Sequence, residues 1–176
     1  MPASFYDLSA ASYLQTLRAT AAVLERGRSH LAERGPAPDE LARFRLHDDM
    51  APLSFQVVSV WHHSLGALRG MHAGVFAPPP QVEDTSYAGL EKLVAEAIDG
   101  VTAWSEDDVN GLSGRSMVFR IGDREIPFTT DNFLSSFSLP NFYFHATTTY
   151  AVLRMHGVPL GKRDFLGQLR IGAGAM

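Results

Sequence analysis

The sequence predicts an all-α protein, a four-helix bundle with a β-hairpin inserted before the last helix. Three observations carry this reading. Four long segments repeat apolar residues at helical spacing, the first three with one inward stripe each and the fourth apolar over most of its circumference. One run, "SMVFRIGDREIPF", alternates instead, as a strand pair does. Gly122-Asp123 in its middle suits a two-residue type II′ turn, with glycine at the first central position.

The elements follow in order. Ser9 is placed to cap a first helix reaching about Arg34. Leu14, Leu17, Ala21, Leu24 and Leu31 form its buried stripe, with Arg28 at the skipped position, and Gly35-Pro36 ends it. "APDELARFRL" reads as one or two helical turns. A second helix starts near Pro52, buries Leu53, Val57, Val60, Trp61, Leu65 and Leu68, and ends between Met71 and Gly74. "APPP" at 77 to 80 is a stiff linker. The third helix runs from Ser86 and turns Tyr87, Leu90, Leu93, Ala97, Val101 and Trp104 inward.

The hairpin spans about 116 to 128, and Pro127 marks its second strand as an edge. Thr129 or Thr130 caps the fourth helix, which continues to His156 and stops at Gly157. Pro140 lies inside it, so the helix either kinks there or restarts with Pro140 in its first turn. Phe165 and Leu166 order the following tail, and residues 171 to 176 are expected to be disordered. No repeat or boundary divides residues 1 to 176, which read as a single domain.

Composition narrows the function. The 176 residues are 45% hydrophobic and 19% charged with a net charge of -4, which is a globular composition with no basic block for a phosphate backbone. Nucleic acid is not an expected partner. There is no cysteine, so disulfides, thiolate zinc sites and a cysteine nucleophile are excluded together. No run reaches the ~18 apolar residues of a membrane span, and "MPASFYDLSA" lacks a secretory pattern. A soluble cytoplasmic protein is expected.

Chemistry concentrates in "PNFYFHATTTYAVLRMHG". Asn141, His145 and Thr149 repeat every four residues, and Leu134 and Val152 mark their face as inward. On the second helix Gln56, Ser59, His63 and Gly70 share a flank, while His62 points to the other flank near Val58 and Arg69. If these helices are neighbours, Gln56 and His63 face Asn141 and His145. Two readings stand side by side: a metal or substrate pocket between facing helices, or a satisfied polar network that sets helix register.

The remaining histidines suit simpler roles. His47 sits beside Asp48 and Asp49 at a helix entry, His72 and His156 lie near helix ends, and His30 faces solvent. "KRD" at 162 to 164 reads as an anion clamp or as a salt-bridged tail anchor. No H-E-x-x-H, phosphate loop, nucleophile elbow or Glu-x-x-His pair is present.

"LPNFYFHATTTYAVLRMHGVPLGKRDFLG", with "FYDLSAASYLQTL" and "DDMAPLSFQV", resembles the family known as the domain of unknown function numbered 1993, from Phe5 to Gly167. That resemblance implies a fold similar to the DinB/YfiT-like metalloenzymes. Their metal-bearing members use one histidine of the second helix and an H-x-x-x-H pair of the fourth. The matching positions here are His63 (or Gln56) with Asn141 and His145, so one imidazole is replaced by an amide.

No cofactor is therefore expected, beyond weak zinc or nickel binding by His63 and His145. The leading expectation is a degenerate module that binds a small molecule or a protein in the polar pocket. A DinB-type metal-dependent hydrolase or thiol transferase and a purely structural homodimer are the alternatives. Phe142, Tyr143, Phe144, Tyr150 and Leu153 spread around the fourth helix, which implies a homodimer or cover from the hairpin and tail.

Overall fold

Ser4 opens the helical course of the chain with a capping box. Its hydroxyl accepts from the Asp7 N–H while the Asp7 carboxylate accepts from the Ser4 N–H. The computed structural model, which describes residues 3–172, thus has a single turn, α1 (Phe5–Leu8), ahead of the long α2 (Ala10–Arg34). Ser9 holds the expected N-cap position of α2, but its side chain makes no cap bond there, since its hydroxyl donates back to the Phe5 carbonyl at 2.6 Å. Gly35 ends α2, and α3 (Pro38–Leu41) follows.

The second helical rod has three parts: α4 (Leu53–Trp61), a π-helical turn (His62–Gly66) and α5 (Ala67–Ala73). Gly74, at φ 74°, closes it in the left-handed region and releases β1 (Val75–Phe76). Ser86 caps α6 (Tyr87–Thr102), and Ser105 caps the short α7 (Glu106–Asn110). β2 (Ser116–Ile121) and β3 (Arg124–Thr129) form the hairpin. Gly122 takes φ 56° and Asp123 does not go positive, as the type II′ turn requires. Thr129 caps α8 (Thr130–Phe133), which continues through a second π turn (Leu134–Ser138) into α9 (Leu139–Met155). The last element is α10 (Lys162–Leu166).

The all-α expectation needs correction, because the protein is mostly helical with a small three-stranded sheet in the order β1-β2-β3. Val75 and Phe76 pair in parallel with Val118 and Phe119. Two residues are too few to show an alternating pattern in sequence. The pairing gives the hairpin a third strand and carries the Phe76 side chain into the core.

Pro140 explains the second π turn. A proline in mid-helix has no N–H to donate and its ring presses on the carbonyl four residues back. Here the Leu139 N–H reaches the Leu134 carbonyl, five residues back, and the widened turn lets the chain run straight into Pro140 at the start of α9.

The four rods pack in a ring: α2 on α6, α6 on α4, α4 on α9, and α9 back on α2. One apolar cluster fills the centre, including Leu17, Leu24, Val57, Leu90, Phe142 and Leu153. Gly27 sits where α2, α6 and α9 meet. A Cβ there would fall 2.5 Å from the Tyr87 hydroxyl and 2.9 Å from Leu153. Tyr87 is free to donate to the Leu24 carbonyl at 2.7 Å only because Gly27 leaves that space. The tail is anchored by Arg26–Asp164 at 2.7 Å, which decides "KRD" in favour of the salt-bridged anchor. Ile171 and Gly172 are exposed, and the rest of the tail, 173 to 176, lies outside the described residues. Among the described residues no helix is long and apolar enough to cross a membrane.

Candidate functional site

The contact of α4 with α9 brings Gln56, His63 and His145 together. Gln56 is buried, and its Nε2 donates to the Ala51 carbonyl at 2.9 Å. A carbonyl only accepts, so this bond orients the amide and leaves Oε1 facing His145. The Nδ1–H of His145 therefore donates to Gln56 Oε1 at 2.7 Å. The tautomer follows: Nε2 of His145 carries the lone pair, and the ring is only half-buried.

His63 lies next to it. The two imidazole rings are nearly parallel, 17° apart, with centroids 6.0 Å from each other. His63 is 8% exposed, and its Nδ1 is buried with no hydrogen-bond partner. Phe76 and Phe137 flank it at 5.4 and 5.6 Å. Burial among these rings, with small additions from His62 and His145, holds the His63 imidazole down to about 3. Burial alone lowers His145 to about 4. Both rings are uncharged at neutral pH.

The backbone of His63 is braced from two sides. Ser138 in the second π turn donates to the His63 carbonyl at 2.9 Å, and Tyr13 of α2 donates to the Ser138 hydroxyl at 2.8 Å. All three are buried, so this relay ties both π turns to α2 at the level of the imidazole. The Tyr13 phenol is pushed up by its burial and stays protonated. Ser138 and Tyr13 escaped sequence reasoning. Their signal is that a buried tyrosine needs a partner for its hydroxyl.

Other expected residues fall nearby in lesser roles. Asn141 is half-buried, but its Nδ2 donates to the Phe137 carbonyl at 2.7 Å, one turn back. Thr149 is buried and bonds back to the His145 carbonyl at 2.9 Å. His62 follows Val58 by one helical turn, its N–H bonding the Val58 carbonyl. Its side chain is buried, stacks on Phe76 at 4.4 Å and donates to the Ala77 carbonyl at 2.7 Å. It thereby pins the start of the proline linker to the helix. His156 stacks on Phe44 at 4.3 Å, and His30 is half-buried rather than solvent-facing.

Phe55, not singled out in the sequence, and Phe144, one of the aromatic residues of the fourth helix, stand next to His145. Phe55 and Phe144 are 44% and 55% exposed, and their rings lie 5.9 and 5.2 Å from His145. Large apolar side chains left open beside an imidazole with a free ring nitrogen are a feature of binding surfaces.

The model of the family described as a domain of unknown function (DUF1993) matches residues 5–166. The chain belongs to this family. No curated protein matches this DUF1993 chain. Among solved structures it is similar to a DinB family member protein from Shewanella denitrificans, at 23% identity and a TM-score of 0.79 over 96% of this chain and 94% of that one. That likeness establishes the shared fold.

The DinB-like fold raises the question of a resident metal. Among the described residues no three histidine or carboxylate side chains converge. The third position of the histidine pattern is Asn141, whose amide is held by the Phe137 carbonyl. Two neutral imidazoles with an engaged amide do not match the donor set of a tightly held divalent ion. The residues present do not fit that group.

Proposed function

We propose that this DUF1993 protein is a DinB-type four-helix bundle working as a metal-free binding module, with a small-molecule pocket between the second and fourth helices. One observation carries the reading. His63, more than nine-tenths buried, keeps a ring nitrogen without a partner next to a second imidazole whose lone pair is also free. A buried polar group without a partner costs stability, and a site that receives a ligand is a reason to keep one. The braced backbone at His63 and the fixed tautomer at His145 are what a preorganised site needs.

The test is a ligand screen on chelator-treated protein, read by the ring resonances of His63 and His145. Compounds that shift both rings in the native protein and neither in His145→Ala support the module. A screen in which every binder maps to other surfaces, including the groove of about 650 Å³ between the hairpin and Asn132, would refute it.

A further inference from the structure

We infer that the site takes an uncharged aromatic ligand that donates one hydrogen bond to Nε2 of His145. This rests on the ligand-binding reading above and adds the chemical class of ligand. The acceptor is set by the chain of donors. Ala51 accepts from Gln56, Gln56 accepts from His145 Nδ1–H, and Nε2 is left as a lone pair. A ligand must therefore bring the proton.

The surroundings argue for an aromatic body without charge. Phe55 and Phe144 stand exposed and edge-on to His145, and Phe76 and Phe137 pack near His63. Ring faces and edges of this kind favour a flat partner. Among the described residues, the charge partners of His63 are other histidines, and His145 has none. No lysine, arginine or carboxylate contributes at either ring. An anion would find no counter-charge and an ammonium no carboxylate, so each would pay its desolvation uncompensated.

Phenol, anisole and benzoate separate these features, because they share a ring and differ in donor and charge. Titrated into chelator-treated, ¹⁵N-histidine-labelled protein at pH about 8, where the imidazoles are neutral, phenol is expected to shift Nε2 of His145. It should bind about fivefold or more tightly than anisole, the worth of one hydrogen bond, with benzoate weakest. Anisole equal to phenol, benzoate tightest, or no probe moving the His145 ring would each overturn the inference.

Gln56→Leu releases the tautomer and should erase the preference for phenol over anisole, and a preference retained in that variant would count against the relay. Gln56→Glu still accepts from Nδ1–H and should keep it. If Gln56→Leu fails to fold, Gln56→Glu decides alone: a preference lost there overturns the assignment. Stoichiometric zinc or nickel bound tightly by both rings would defeat the metal-free reading itself. Equal binding of phenol and anisole defeats only the ligand class.

Discussion

Replacing His63 by phenylalanine is expected to stabilise the protein while it destroys the site. The His63 ring is 8% exposed, and its Nδ1 has no partner among the packed rings of Phe76, Phe137 and His145. An unsatisfied buried polar group of this kind costs about 1–3 kcal/mol. Phenylalanine keeps a flat ring and removes that cost, at a packing penalty of about 1 kcal/mol for its extra volume. The net gain is about 1 kcal/mol, or a rise in Tm of about 2–4 °C for a domain of this size.

Urea and thermal unfolding followed by circular dichroism measure it directly. The neighbouring His62→Phe is the control with opposite sign, since that ring does donate to the Ala77 carbonyl at 2.7 Å. It should lose about 1 kcal/mol. If His63→Phe were destabilised by a similar amount, His63 would be a satisfied core residue, and the argument for a binding site would fail.

Three further outcomes follow from the same geometry. Gly66→Ala should cost about 1–3 kcal/mol even though alanine is the better helix former, because its Cβ would lie 2.8 Å from His62 Nδ1. A double-mutant cycle with His62→Ala should recover most of that loss, and additive effects would show that the clash is not the cause. Burial holds His63 and His145 at about 3 and about 4 in the folded state, below the usual 6.5, so the unfolded chain binds more protons between these values. Stability should therefore be full above pH about 6.5 and decline as pH falls toward about 4, less steeply in His63→Phe; denaturation curves that do not move across this window would contradict it. Tyr143 and Phe144 remain exposed on α9, and light scattering should find a homodimer, an expectation that a mass of 19.3 kDa would rule out.

Much of the fold was legible because its signals are local. The stripes from Leu14 to Leu31 and from Leu53 to Leu68 repeat at helical spacing, and Gly122-Asp123 carries its turn in two residues. Helical phase also placed Asn141, His145 and Thr149 on one flank, because all three lie within the uninterrupted α9, and it placed Gln56 with His63 because His63 is only the second residue past the end of α4. What His62 touches was not legible, because its partners Phe76 and Ala77 lie beyond the end of its helix and are brought back by the chain reversal at Gly74. β1 was missed because two residues show no period, and α1 because Ser4 and Asp7 form a cap that Ser9 seemed to offer. The Tyr13–Ser138–His63 brace joins residues far apart in the chain, which no spacing within one helix can display.

The central proposal is that the site at His63 and His145 works without a resident metal. Elemental analysis of untagged protein, purified without chelator and dialysed extensively, tests it most directly. The account predicts zinc, nickel and other transition metals far below one ion per chain, unchanged in His145→Ala. One equivalent of metal that survives dialysis and disappears in His145→Ala would contradict it.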